Sequence, residues 1–374
     1  MKKKIANGQE IIQLFEQFSP KKYAMEGDKI GLQVGSLNKP VNKVLVALDV
    51  LEEVVDEAIE IGAQLIIAHH PIIFRPLKSI VTSDPAGRLL EKLIKNDIAV
   101  YAAHTNLDVA KGGVNDWLAD ALELHEREVL VPTYEEELKK LAVYVPKSHE
   151  AELRIALGQA GAGYIGEYSH CSFSTEGTGR FVPTGGAEPY LGSVGQLEEV
   201  QEVKIETIYP KHVEKKILTA MLKAHPYEEV AYDVYALENS GEELGLGRIG
   251  KLPKPMKLRE FAEFVKEKLD VKAVRVVGDL ESEVKKAAVL GGDGNKYFQS
   301  AKFKGADVYV TGDFYYHTAH DALAAGLNVV DPGHNVEKVM KAGTAHKMSE
   351  MAKERGFETE FIASEINTDP FTFI

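Results

Sequence analysis

Each of three short apolar runs, far apart in the chain, is followed by residues that bind metal ions in many proteins. These residues are His69 and His70 in the first piece, His104 and Asp108 in the second, and His334 and Glu337 in the third. Imidazole and carboxylate ligands without thiolates are typical of centres for zinc, manganese or iron rather than of structural zinc sites. The pattern therefore predicts a metal centre assembled from distant parts of the chain.

The three apolar runs that must position these ligands are typical of buried β-strands. They are residues 65–67, 98–101 and 328–330. In open α/β sheets, ligand sites gather beyond the carboxyl ends of the strands. We therefore expect the six candidate ligands to meet at the ends of three strands.

Two of the candidate ligands, His69 and His70, are adjacent in the sequence. Successive side chains of a strand point to opposite faces, so adjacent histidines within a strand would not hold one ion. At the end of a strand, with Pro71 turning the chain, they could serve two neighbouring ions. This geometry favours a dinuclear site, and the alternative is a pair of histidines in a turn.

Taken singly, each of the other ligands has an ordinary structural explanation. An Asp before a helix, such as Asp108, is more commonly a turn or cap residue than a metal ligand. His104 alone would more commonly be a partly buried imidazole with its hydrogen bonds satisfied. Glu337 would be stabilised by the start of a helix. The hypothesis of a metal centre therefore depends on the set and not on any one member.

Two glycine-bearing pieces follow other apolar runs, and each has two interpretations. Asp313 ends a predicted strand and is followed by His317 and His320 at helical spacing. His317 is either an acid or base that faces a substrate or an ordinary histidine on a helix surface. Residues 291–295 either cradle an anion with backbone N–H groups or simply reverse the chain.

The composition limits the partners of the protein. The 374 residues are 44% hydrophobic and 27% charged, as in ordinary globular proteins. The net charge of -13 argues against nucleic-acid binding, which needs a basic surface. It is compatible with a small anionic substrate held by metal ions. A single cysteine, Cys171, excludes an intrachain disulfide and thiolate zinc sites.

Membrane association and export are not indicated by the sequence. The basic start of the chain lacks the apolar segment of a signal peptide, and no stretch approaches the roughly 18 apolar residues of a membrane-spanning helix. We therefore expect a cytoplasmic protein.

Alternation of strands and amphipathic helices divides the chain into two flanking segments and a middle. The flanks, 1–132 and 244–374, share near-continuous apolar strands, which are typical of a parallel sheet covered on both faces. The middle, 133–243, has two strand-and-helix units and a closing strand, as in a ferredoxin-like α+β domain. We predict an α/β fold in which two similar halves form one discontinuous core around a dinuclear metal site, interrupted by an inserted domain.

Several local boundaries can also be predicted. Asp84 and Pro85 should open a helix as its N-cap and first residue, and residues 336–355 should form another helix. The glycine-rich residues 161–195 carry no predicted strand, and the polar residues 238–243 are typical of a domain junction.

The sequence also resembles the NIF-three-like family, known as GTP cyclohydrolase type 2 homologues. The matching pieces are Gly31–Gly35, Ile67–Phe74, His104–Asp108, Thr311–Asp313 and Asp331–His334. The resemblance implies two divalent ions between two α/β halves, with zinc favoured over manganese or iron, and subunits assembled in a toroidal hexamer.

The resemblance also implies roles for individual residues. The implied metal ligands are His69, His70, Asp108, His334 and Glu337, with Glu337 as the bridge. His104 is implied to bind metal or move protons, and is the candidate catalytic residue.

The middle segment is similar to PII and CutA proteins. The pieces that carry this similarity are His225–Glu229 and Val230–Tyr235. Modules of this kind trimerise and bind small ligands, which makes a small-molecule effector one of the expected partners.

Two functions are compatible with these features. The first is a metal-dependent hydrolase that acts on a nucleotide or related small molecule, which the family name suggests is GTP. A phosphate-binding loop ending in Gly-Lys-Ser/Thr is absent from the sequence, which argues against ATPase-like chemistry. The second is a non-catalytic metal- or metabolite-binding regulator or scaffold.

Overall fold

Two compact units make up the computed structural model of the chain, which describes residues 4–374. One unit, here called the outer unit, consists of Met1–Tyr134 and Leu244–Ile374, and the other, the middle unit, of Glu135–Glu243. The basic residues 1–3 at the start of the chain lie outside the described residues. Within the described part, no helix combines the length and apolarity needed to cross a bilayer.

Strands and helices alternate along much of the chain. The strands are β1 Gly31–Val34, β2 Lys43–Ala47, β3 Leu65–Ala68, β4 Ala99–Ala102, β5 His125–Pro146, β6 Phe173–Phe181, β7 Glu198–Pro210, β8 Tyr232–Lys257, β9 Arg275–Val277, β10 Glu283–Asp293, β11 Val308–Gly312, β12 Asn328–Asp331 and β13 Glu360–Ala363. The helices are α1 Gly8–Phe18, α2 Glu52–Ile61, α3 Pro85–Lys95, α4 Thr105–Val109, α5 Val114–Ala121, α6 Glu150–Ala160, α7 Glu214–Ala224, α8 Leu258–Lys268, α9 Phe298–Phe303, α10 Tyr316–Ala324 and α11 Val339–Arg355.

The first sheet of the outer unit has the strand order β1-β4-β3-β2-β13. Strands β13, β2, β3 and β4 are parallel, and only β1 at one edge is antiparallel. Both faces are buried: Val44 and Val46 of β2 pack into one core cluster, and Leu45 into another. This two-sided burial explains the continuous apolar pattern of the strands.

The second sheet of the outer unit contains β8-β10-β11-β12-β9 in that order. Its central strands β10, β11 and β12 are parallel, and β8 and β9 run antiparallel beside them. One large core cluster includes Val46 of the first sheet, Val310 of the second, and Phe261 of α8. The predicted mixture of α-helices and β-sheets is confirmed, and the carboxyl ends of β3, β4 and β12 border the site described below.

Of two predicted helix starts in the outer unit, one is confirmed and one needs correction. As predicted, Asp84 occupies the N-cap position of α3 and Pro85 is its first residue, although the side chain of Asp84 makes no capping hydrogen bond. The helix predicted over 336–355 starts as a 3-10 turn, His334–Lys338, and becomes α-helical only at Val339. The tighter turn holds Glu337 in the buried interior.

The middle unit has the element order β5-α6-β6-β7-α7-β8, with strands ordered β6-β7-β5-β8. Strand β7 pairs antiparallel with both β5 and β6. Leu153 of α6, Ile217 of α7 and Ile205 of β7 belong to its hydrophobic core.

Two sequence-based predictions of secondary structure in the middle unit differ from the structure. The glycine-rich residues 161–195 contain the strand β6, and the polar residues 238–243 lie inside the long strand β8 rather than in a loop. Polar and glycine residues occupy these strands because the strands expose at least one face to solvent, as the mostly exposed β6 illustrates.

Candidate metal centre

The candidate ligands follow the ends of β3, β4 and β12, as the apolar runs predicted. His69 and His70 come directly after Ala68, the last residue of β3. His104 follows β4 by two residues, and Asp108 lies in the short helix α4. His334 and Glu337 lie in the 3-10 turn after β12.

The structure brings all six candidate side chains together. They form three overlapping groups, in each of which the possible ligand atoms lie within 4.8 Å of one another. The groups are His69, His70 and His104; His70, His334 and Glu337; and His69, Asp108 and Glu337. The adjacent His69 and His70 share one group because both lie beyond the end of β3, where the alternation of a strand no longer applies.

Glu337 lies at the middle of this arrangement. Only 3% of the residue is exposed. Its Oε2 atom accepts a hydrogen bond from Nε2 of His70 at 3.1 Å and lies 3.2 Å from Nε2 of His334. The same oxygen lies 3.7 Å from Nε2 of His69. One carboxylate oxygen therefore faces three imidazole nitrogens.

Two buried atoms that face the centre have no hydrogen-bond partner among the described residues. They are Nε2 of His69 and Oδ1 of Asp108, which lie 3.6 Å apart. An unsatisfied buried polar atom costs about 1–3 kcal/mol. A pair of such atoms, a nitrogen and a carboxylate oxygen, is the donor set that a divalent cation would satisfy.

The histidine rings are held in orientation by hydrogen bonds from their outer nitrogens. The Nδ1 atoms of His70, His104 and His334 donate to carboxylates, and that of His69 donates to a backbone carbonyl. His70 donates to Asp49 at 2.6 Å, His104 to Asp28 at 2.9 Å, and His334 to Asp313 at 2.7 Å. His69 donates to the carbonyl of Ala103 at 2.9 Å. Partners of this kind fix the tautomer and raise the basicity of metal-ligating histidines.

The electrostatics of the site favour positive charge. Burial opposes protonation of His70, but its hydrogen bonds to Asp49 and Glu337 raise its pKa to about 10. The hydrogen bond to Glu337 raises the pKa of His334 to about 9. Burial would raise the pKa of Glu337, but the surrounding histidines hold it well below its usual value.

Asp108 has the opposite shift. Burial raises the pKa of this carboxyl to about 6, although His69 acts against the shift. A cation beside Asp108 would offset the cost of burying its negative charge.

Two glycines near the end of strand β10, Gly291 and Gly292, allow Glu337 to approach. A Cβ atom on Gly292, whose φ is +64°, would lie 2.6 Å from Oε1 of Glu337. The anion-cradle interpretation of residues 291–295 is not supported, because several N–H groups of this segment donate to protein oxygens. The N–H group of Gly291 donates to the side chain of Asn115, and that of Gly294 to the side chain of Thr311. The N–H group of Asn295 donates to the side chain of Asp293.

The sequence interpretation missed two residues of the site and left one without a role. Asp49 comes two residues after β2, so the strand-end pattern could have found it. Asp28 lies in a loop before β1 with no such signal. Asp313 was expected at the end of a strand but without a role in the site, and its carboxylate accepts a hydrogen bond from Nδ1 of His334. His317 is exposed and its ring lies against Tyr316, outside the three groups.

Comparison with known proteins identifies relatives along the full chain. The family Duf34/NIF3 (NGG1p interacting factor 3) matches residues 6–370. A Bacillus subtilis protein named GTP cyclohydrolase 1 type 2 homolog is 65% identical over 371 residues, covering 99% of this chain and 100% of that protein.

Solved structures give the same result. A Bacillus cereus protein related to NIF3 has a TM-score of 0.95 and 63% identity, covering 99% of this chain and 100% of that chain. The Staphylococcus aureus protein SA1388 has a TM-score of 0.77 and 33% identity, covering 99% of each. Both the outer and the middle unit are therefore shared with these proteins.

Proposed function

This chain belongs to the Duf34/NIF3 family, and we propose that its outer unit holds two divalent metal ions and acts as a metal-dependent hydrolase. The substrate class we propose is a nucleotide or a related small molecule. The name GTP cyclohydrolase 1 type 2 homolog, carried by the relative from Bacillus subtilis, supports GTP as the first candidate.

The observation that carries the proposal is the pair of unsatisfied buried atoms, Nε2 of His69 and Oδ1 of Asp108. Neither makes a hydrogen bond within the described residues, and both lie in one ligand group with Glu337. The carboxylates behind three histidines support the same conclusion, since they orient imidazole nitrogens toward the centre. The residues therefore fit a divalent cation.

The charge balance supports two ions rather than one. Five carboxylates lie in or directly behind the ligand groups: Asp28, Asp49, Asp108, Asp313 and Glu337. With neutral histidines, one divalent ion would leave three negative charges uncompensated, and two would leave one.

We propose that His69 and Asp108 hold one ion, that His70 and His334 hold the other, and that Glu337 bridges them. Zinc suits this ligand set best, and manganese or iron would also fit.

Bound divalent ions would supply Lewis acidity and lower the pKa of a water molecule toward neutrality. His104 is the residue of this chain that we propose moves the proton. Asp28 accepts from Nδ1 of His104, so the other ring nitrogen is left to accept or donate a proton on the side of His69 and His70.

We further propose that the middle unit is an inserted PII/CutA-like domain, residues 133–243, within a core of residues 1–132 and 244–374. The order β-α-β-β-α-β is that of a ferredoxin-like module. Because PII and CutA-like modules bind small ligands, this element order favours a second candidate function, a non-catalytic metal- or metabolite-binding regulator or scaffold. We also propose that the protein assembles as a toroidal homohexamer and is cytoplasmic. We expect neither nucleic acid nor a membrane as its partner.

Metal analysis combined with a nucleotide panel tests the proposal. The wild-type protein should retain about two divalent ions per chain and hydrolyse at least one nucleotide, whereas the double variant His70→Ala, Asp108→Ala should lose both metal and turnover. His346→Ala is the matched control, because this histidine is exposed on α11 with a side chain 78% accessible. Turnover that survives in the double variant would refute the enzyme proposal, and metal binding without turnover would favour the regulator.

A further inference from the structure

A cavity of about 870 Å³ lies in the middle unit. Its position follows from the alternation of β7: Val203 and Ile205 point into the core with α6 and α7, and Glu202, Lys204 and Glu206 line the cavity. The cavity therefore occupies the face of the sheet that the helices leave uncovered. Its volume lies in the range of small-molecule sites.

Glycines of β6 make room on one side of this cavity. A Cβ atom on Gly177 would meet nothing within 4 Å. The side chain of Glu202 passes over Gly179, where a Cβ atom would lie 2.1 Å from its Oε2 atom. Glu202 there accepts a hydrogen bond from the hydroxyl of Tyr227 at 3.0 Å. Larger residues at these two positions would fill the space or displace Glu202.

Aromatic rings form another part of the wall. The ring of Tyr227 lies 5.9 Å from that of Phe181 and 6.2 Å from that of Tyr190, between centroids. Tyr144 also lines the cavity. Electron-rich ring faces of this kind attract organic cations.

The charges of the lining have the same preference. Five lining residues are acidic, Glu176, Glu202, Glu206, Glu228 and Glu229, and two are basic, Arg180 and Lys204. Both basic groups are paired: Arg180 with Glu199 at 2.8 Å, and Lys204 with Glu206 at 3.4 Å. Glu176 is likewise paired, with Lys147 at 2.5 Å, so among the described residues the lining carboxylates outside ion pairs are those of Glu202, Glu228 and Glu229. An anionic ligand such as a phosphate would meet these carboxylates, and both cations of the described lining are engaged.

We propose that this cavity binds an organic cation, an amine with an aromatic or apolar body. The rings of Tyr190 and Tyr227 would pack against the apolar body of the ligand and hold its ammonium group by cation–π contact. The carboxylates of Glu228 and Glu229 would supply the counter-charge. The site is separate from the candidate metal centre and does not depend on the function proposed for it.

A charge series of small probes tests the proposal on the unaltered full chain. The probes are 2-phenylethylamine, the neutral 2-phenylethanol and the anionic 3-phenylpropanoate, titrated by ligand-observed NMR. The amine should bind most tightly and the anion most weakly. Equal binding of the three probes, tighter binding of the anion, or no binding of the amine at millimolar concentration would overturn the proposal.

Two variants locate the binding. Tyr190→Ala should weaken amine binding about 3- to 30-fold, as expected for loss of one cation–π contact, and Glu229→Gln should weaken the amine more than the alcohol. Both side chains are exposed, so the fold should be retained. Glu152→Gln, on the exposed face of α6, is the matched control and should bind as the wild type does. Wild-type affinity in both cavity variants would exclude this cavity as the site.

Discussion

Replacement of Gly292 by alanine would test whether the glycines at the end of β10 are needed to admit Glu337. The backbone of Gly292 has φ of +64°, and a Cβ atom there would lie 2.6 Å from Oε1 of Glu337 and 3.3 Å from Nε2 of His334. Glu337 is only 3% exposed and cannot retreat into solvent. The substitution must therefore move the carboxylate of Glu337, the end of β10, or both.

The expected magnitude has two parts. The left-handed backbone conformation costs an alanine about 1–2 kcal/mol, which corresponds to a fall in Tm of about 2–8 °C for a unit of this size. Displacement of a carboxylate shared by two ligand groups should in addition weaken metal binding about 10- to 100-fold, the range seen when the support of a ligand is lost.

Gly305→Ala is the matched control for this prediction. Its φ is +79°, and a Cβ atom there would meet nothing within 4 Å, so it introduces the backbone strain without the contact. Urea denaturation would compare the stability of the two variants, and competition with a chelator would compare their metal affinity. Unchanged metal affinity in Gly292→Ala, or an equal loss in Gly305→Ala, would refute the reasoning.

Three further predictions concern the metal centre and the core. Because the pKa values of His70 and His334 are raised to about 10 and 9, both rings carry protons at neutral pH that a metal must displace. Metal affinity should therefore rise with pH between 6 and 8, by up to about tenfold per unit for each displaced proton, and calorimetry in two buffers should detect the released protons; a flat profile would contradict this. Asp313→Asn should weaken metal binding about 10- to 100-fold while the protein stays folded, since its carboxylate holds His334 and Asn tolerates its φ of 52°; chelator competition measures the loss. Arg248→Met should lower the free energy of unfolding by about 3–5 kcal/mol, because it leaves Asp116 without the bidentate partner that lies at 2.5 and 2.8 Å; a loss below about 1 kcal/mol in urea denaturation would be inconsistent with a buried ion pair.

The strands of the outer unit were predictable because they are buried on both faces. Their apolar runs are continuous, so β3, β4 and β12 could be located from local sequence to within about two residues. The edge strand β1 and the exposed strand β6 lack that signal, and neither was predicted. The long strand β8 was misjudged at residues 238–243, because polar residues and a glycine in an exposed strand look like a loop.

The candidate ligands were predictable for a related reason. The carboxyl ends of parallel strands lie at one edge of a sheet, so ligands that follow strands are brought close by the fold class alone. Asp28, which supports His104, follows no strand, and its role depends on a loop that packs against α4 from 77 residues away in the chain.

The sequence by itself determined the ligand types, their places at three strand ends and the family to which the chain is similar. These features are local, since they depend on residue chemistry and hydrophobic periodicity. Only the tertiary structure decided that Glu337 faces three histidines, that two polar atoms are buried without partners, and that a cavity with aromatic and acidic walls lies in the middle unit. Each of those features joins side chains that are distant in sequence, and their distances are set by the packing of the sheets and loops rather than by any local pattern.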